Sequence, residues 1–149
     1  MALLTRLADD RRGQMISQQL HTSRVQVVHE PLTPTNSSTV PATIGSDGQA
    51  EYDVAWHPKP TCHLSPRALY TGSVAAFLEP GASTVRETLR RSQAAETTLD
   101  PNIRSALNGA DEEVFAAFEE ATRLSTVVKI TNRDAARLYP GLKPEELDP

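Results

Sequence analysis

A helix-rich α+β fold is what the sequence predicts, on three observations. Residues 111–131, DEEVFAAFEEATRLSTVVKIT, join a helical period to a β-branched tail. Residues 38–56 have the strand, turn and strand layout of a hairpin. Cap and proline signals recur between residues 65 and 141 and divide that stretch into short helices. The expected organisation is an N-terminal helical arm at 1–22 and a β-hairpin with an extended Pro/Ser/Thr-rich connector at 23–64. A helical body with one short strand follows at 65–141, then a tail at 142–149.

Taken in order, residues 2–20 read as a helix with Leu4, Leu7 and Ala8 in its first half and Met15, Ile16 and Leu20 in its second. Gly13 lowers helix propensity by about 1 kcal/mol relative to alanine, so a bend is expected there. Because the apolar groups are sparse, Leu4 and Leu7 are candidate contacts for a neighbouring subunit. RVQVVH, 24–29, is a strand with Val25 and Val27 on one side. STVPATI, GSDG and QAEYDVAW, which together form 38–56, read as the hairpin, with Pro41 restricting its first strand to an edge.

HPKPTCHLSP, 57–66, is extended, since each residue before a proline is pushed toward β or polyproline geometry. Ser65 and Pro66 then look like a cap and first turn, opening a helix that holds Tyr70, Val74, Phe77 and Leu78 and closes at Pro80-Gly81. Thr84 and Glu87 form a capping-box pattern for a helix reaching about Glu96. Asp100-Pro101 repeats the cap-then-proline device before PNIRSAL, with Asn108-Gly109 as the stop. In the 111–131 stretch Val114, Ala117, Phe118, Ala121, Leu124 and Val128 share one helical face, and Glu112 and Glu113 favour the positive end of the dipole. Val127, Val128 and Ile130 mark a strand. Thr131 or Asn132 caps a last two-turn helix, stopped by Pro140-Gly141.

Composition narrows the function. The 149 residues carry a formal charge of -4 with acids and bases mixed, and no basic stripe that would neutralise a row of phosphates, so nucleic acid is not an expected partner. Nothing approaches the ~20 consecutive apolar residues of a membrane helix. The single cysteine, Cys62, excludes an internal disulfide framework and suits a reducing compartment. A cytoplasmic product, or part of a particle assembled there, is expected. The apolar fraction of 38% supports only a modest core, which favours a chain ordered by neighbours.

Reactive residue types converge only at His57, Cys62 and His63. Zinc needs three or four ligands at about 2.0–2.3 Å, and adjacent residues of an extended segment point to opposite faces, so Cys62 and His63 fit one metal poorly. No glycine-rich phosphate loop, GxSxG elbow or HExxH helix occurs. Arg86 and Arg90, four apart on one helical face, suit a partner carboxylate. Leu142 and Leu147 are the anchors of a possible docking tail. The leading expectation is therefore a non-enzymatic structural or assembly subunit, of the virion adaptor or decoration type or an accessory subunit, binding other protein subunits or copies of itself without a cofactor. A small metal- or thiol-dependent enzyme or metalloprotein using His57, Cys62 and His63 is the alternative, and a regulatory adaptor acting through its tail is the second.

Overall fold

The computed structural model describes residues 1–28, 36, 37, 39, 42–44, 50–52, 66–79, 81–103, 110–143 and 146. The chain divides into two compact units, Met1–Leu64 and Ser65–Pro149. Helices and short, mostly parallel sheets make it a mixed α and β protein.

In the first unit β1 (Ala2–Leu4) and β2 (Gln26–Val28) pair in parallel, Leu3 opposite Val27, joined by the crossover helix α1 (Arg11–Thr22). The expected helix over 2–20 is thus corrected in its first half. Residues 2–4 are a strand, and DDRRG is the helix start, not its bend. Asp10 is the N-cap, accepting from the Gly13 amide at 2.8 Å. A Cβ on Gly13 would lie 1.9 Å from the Ala8 carbonyl oxygen, so only glycine lets the helix begin against that chain segment. The helix ends in a Schellman pair, Arg24 N to His21 O and Val25 N to Leu20 O, with Arg24 at φ 56 where glycine is usual. The expected hairpin is present as β3 (Ala42–Ile44) antiparallel to β4 (Ala50–Tyr52).

The second unit is built on three parallel strands in the order β5 (Ala68–Gly72), β6 (Glu96–Asp100) and β7 (Val127–Val128). Between β5 and β6 run α2 (Val74–Phe77) and α3 (Gly81–Arg91); α4 (Asp111–Arg123) precedes β7, and α5 (Asn132–Leu138) follows it. Three expectations are corrected here. Residues 68–72 are a strand, because ALYTG alternates and pairs with 96–100. The residues before Asp100 are the central strand, so Asp100 ends β6 and caps no helix; of PNIRSAL, Pro101–Ile103 are non-helical and the rest lies outside the described residues. α3 starts at Gly81 instead of at Thr84, and stops at Arg91.

Alternation along β6 sends Thr97 and Leu99 to one side and Glu96, Thr98 and Asp100 to the other. Leu99, fully buried, shares one core cluster with Ala76 and Phe77 of α2, Leu89 of α3, Val114, Phe118 and Ala121 of α4, and Leu138 of α5, with Leu69 and Val128 packed against it. All four helices therefore contribute to one core, on the side of the sheet that bears Leu99. Thr97 and Thr126 lock β6 to the entry of β7, the Thr97 amide donating to Thr126 Oγ1 at 2.9 Å and Thr126 Oγ1 donating to the Thr97 carbonyl at 3.1 Å. Tyr139 closes the far end, its ring edge-on to Phe115 and Phe118 and its hydroxyl donating to Glu119 at 2.5 Å.

Candidate functional site

In an open parallel sheet ligands settle outside the carboxyl ends of the strands, where loops leave the sheet and backbone groups lie unpaired. At this edge β5 ends in Gly72-Ser73, β6 in Asp100-Pro101-Asn102, and β7 runs into Lys129. Gly72 faces Asp100 so closely that a Cβ would stand 1.8 Å from the Asp100 carbonyl oxygen. The chain then turns through Ser73 at φ 55 and ψ −148, at the margin of a region otherwise left to glycine, at a cost of about 1–3 kcal/mol. The Ser73 amide offsets part of that by donating to both the Asp100 and the Pro101 carbonyls, at 3.1 and 3.0 Å. Asn102 has φ 40, a conformation asparagine tolerates better than most residues. Two residues of positive φ thus stand just beyond neighbouring strand ends.

The side chains at this edge form a single polar set. Asp100 Oδ2 accepts from the Tyr70 hydroxyl at 3.1 Å and from Lys129 Nζ at 2.9 Å, so residues of all three strand segments meet on one carboxylate. The Lys129 ammonium, with Tyr70, holds Asp100 below the usual carboxylate range against a smaller opposing effect of burial. The same hydrogen bond raises Lys129, and Tyr70 is raised by its bond to Asp100. Carboxylate and ammonium both stay charged near neutral pH. Asp100 Oδ1 is buried and has no partner among the described residues. A buried acceptor left unpaired is costly. Tyr70, 69% exposed, offers an open ring face next to it.

Behind this edge Pro101 and Ile103 are buried while Asn102 between them is exposed. Asp134, in the first turn of α5, reaches back to accept from the Ile103 amide at 3.0 Å.

The residues singled out from sequence are not those of this set. Leu4 is in β1 and Leu7 in the turn to α1, both half-buried. Arg86 and Arg90 meet carboxylates of their own chain: Arg86 pairs with Glu79 at 2.8 Å and Glu120 at 3.2 Å, and Arg90 with Glu120 and with Glu87 at 3.6 Å. Leu142 is exposed. Leu147 and the His57, Cys62 and His63 group lie outside the described residues. Arg86, Arg90 and Leu142 are not among the partners of Asp100. Tyr70, Ser73, Asp100 and Lys129 escaped the sequence reading because Asp100-Pro101 imitates a helix cap. The usable signal was ETTLD, a threonine-rich alternating run stopped by proline, with ALYTG before it and TVVK after it at βαβ spacing.

No family model and no curated protein matches the chain. Solved structures do. A fructokinase from Vibrio cholerae O395, in its fructose, ADP and calcium ion bound form, superposes with a TM-score of 0.75 at 21% identity over 97% of this chain and 51% of that one. Aminoimidazole riboside kinase from Salmonella enterica, complexed with aminoimidazole riboside and an ATP analog, gives 0.70 at 18% identity over 95% of this chain and 50% of that one. A PfkB protein from Polaromonas sp. JS666 gives 0.73 at 14% over 97% and 54%. The fold is that of the PfkB carbohydrate kinases. This chain spans about half the length of the structures it matches.

That likeness corrects the leading expectation. The chains that share this fold are enzymes, so the reading as a non-enzymatic structural or assembly subunit, virion adaptor included, is overturned. The physical reason is local. With β5 read as helix and Asp100 as a helix cap, Asp100, Tyr70 and Lys129 never converged, and a chain with no convergent polar set looks like a scaffold. Among the described residues, no helix is long and apolar enough to cross a membrane.

Proposed function

We propose that this chain is part of a carbohydrate kinase, transferring the terminal phosphoryl group of a nucleoside triphosphate to a hydroxyl of a sugar or riboside. The observation that carries the reading is the Tyr70, Asp100 and Lys129 set at the carboxyl edge of a parallel sheet in this fold. The fold neighbours supply the substrate class, since one binds fructose and ADP and another a riboside with an ATP analog.

In such a transfer the acceptor hydroxyl oxygen forms a new bond to the terminal phosphorus, the bond from that phosphorus to the nucleoside diphosphate breaks, and the hydroxyl proton passes to water. Much of the catalysis is positioning and charge stabilisation. The Asp100 carboxylate accepts a hydrogen bond from a hydroxyl of the acceptor and so orients the ring. Lys129 keeps Asp100 ionised, and its own charge lowers the cost of bringing a phosphorylated nucleotide to the same edge. Tyr70 fixes the second carboxylate oxygen while its ring covers one face of the sugar.

The test is ADP formation by the purified whole protein with MgATP and a panel of ketoses, aldoses and ribosides, compared with Asp100→Asn. Turnover dependent on one sugar class is expected. Loss of a charged hydrogen bond should lower kcat/KM by about 10–100-fold in the variant. If no sugar stimulates ADP release, or if Asp100→Asn is as active as the parent, the reading fails.

A further inference from the structure

We infer that Tyr70 determines acceptor specificity: its ring is an aromatic platform that selects acceptors carrying a planar base, N-ribosides, over free sugars. This rests on the kinase reading and narrows its substrate class. The strands set this surface out in rows. Tyr70 is in register with Thr98 and Thr98 with Val127, while Asp100 stands two residues nearer the carboxyl edge and Glu96 two residues farther from it. Alternation puts all of them on the side of the sheet away from Leu99. From its own row the Tyr70 hydroxyl reaches forward to Asp100 Oδ2 at 3.1 Å, so the ring leans toward the carboxyl edge and is held there. Pinned in this way it is still 69% exposed, and among the described residues no other aromatic ring packs on it.

Polar groups on this side of the sheet gather at two ends. Asp100 and Lys129 meet at the carboxyl edge, at 2.9 Å, and the Thr98 hydroxyl turns the other way, donating to Glu96 at 3.4 Å. Between them lie the Tyr70 ring and Val127, itself 45% exposed. A free hexose carries hydroxyls all round its ring. Those nearest Asp100 and Lys129 find partners, but the others would lie over apolar surface and give up hydrogen bonds to water. A riboside divides its polarity as this surface does. Its ribose hydroxyls suit the Asp100 and Lys129 end, and its base stacks on the part of the ring that a sugar leaves uncovered. Because the hydroxyl already fixes the ring, little further motion is frozen on binding.

The test measures binding and turnover separately in the whole protein and in its Tyr70→Leu and Tyr70→Phe variants, with aminoimidazole riboside, inosine, ribose and fructose. Calorimetric titration with excess ADP needs no turnover and keeps the ribosides out of a nucleotide site. The parent should bind the ribosides about tenfold or more tightly than the free sugars. Leucine keeps apolar bulk without an aromatic face, so it should weaken the ribosides by about tenfold and the free sugars by less than about threefold. Phenylalanine keeps the face and loses the bond to Asp100, so it should hold the preference while lowering kcat on every acceptor alike. Free sugars bound as tightly as ribosides by the parent, or both classes weakened equally by leucine, overturn the inference. A leucine variant that raises KM for ATP instead would turn the ring toward the nucleotide and overturn it too. Turnover of fructose without riboside binding would leave the kinase reading standing and sink this one. Riboside binding that follows the ring through both variants, with no ADP released on any acceptor, would do the reverse.

Discussion

At the scale of single residues, two positions carry demands that no neighbour can meet for them. Gly72 lies in register with Asp100, and an added Cβ would stand 1.8 Å from a backbone oxygen, so the strands themselves would have to part. Gly72→Ala should destabilise the unit by about 1–3 kcal/mol or more and lower sugar affinity with it, read by chemical denaturation and KM. An alanine variant as stable as the parent would mean the strand ends are not packed this closely. Tyr139 is the second. Burial, reinforced by its hydrogen bond to Glu119, pushes its phenol up to about 12 from an ordinary 10. A group whose folded value is raised contributes stability that is full below pH 10 and is lost as pH rises through 12. The parent should therefore unfold at a higher temperature than Tyr139→Phe at pH 9, and the gap should close by pH 12. A gap that is constant with pH would place the phenol in water.

At the scale of elements, the start of α1 shows how one side chain sets a boundary. The Asp10 carboxylate accepts from the Gly13 amide at 2.8 Å, and from the Ser37 amide and hydroxyl at 2.8 and 2.6 Å. The Ser37 hydroxyl, then the Gly13 and Ser37 amides, lower it to about 2 from 3.8. Its contribution is present above pH 4 and lost as pH falls through 2, so helix α1 should loosen across that window in the parent and not in Asp10→Asn. Amide exchange of Gly13 and Gln14 measures it; identical acid profiles for the two proteins would dismiss the cap. Elsewhere the elements are tied by packing. The Arg86, Arg90 and Glu120 pairs between α3 and α4 are partly exposed and worth about 0–1 kcal/mol each, while Leu99, Val114 and Phe118 form the apolar contact that holds helix to sheet.

Strands were harder to read than helices for a physical reason. α4 was legible because Val114, Phe118 and Ala121 need only their own helix to share a face. α5 was legible from Thr131, whose hydroxyl caps locally. ALYTG and ETTLD are five residues each and find their hydrogen-bond partners in strands far away along the chain, so a local period of three or four at Tyr70, Val74 and Phe77 outweighed an alternation too short to stand out. The same holds for residues 2–4, whose pairing with 26–28 is invisible until the crossover helix closes.

At the scale of the whole molecule, the kinase reading makes a prediction about stability. Ligands that bind only the folded state raise its melting temperature. Fructose or a riboside with ADP, at about 100 times its dissociation constant, should add about 2.7 kcal/mol, or roughly 5–10 °C. Asp100→Asn should abolish most of that rise. A parent protein whose melting point ignores every sugar and nucleotide would argue against any acceptor site at the strand ends. The sequence by itself determined the mixed class, the 111–123 helix with its following strand, the pairing of 42–44 with 50–52 and the last helix, because each is specified by side chains close to it along the chain. Only the tertiary structure decided the parallel order β5, β6 and β7, and with it the site. Tyr70, Asp100 and Lys129 are separated by about thirty residues at each step, and a carboxylate becomes a functional group here only once three strand ends bring its partners to it.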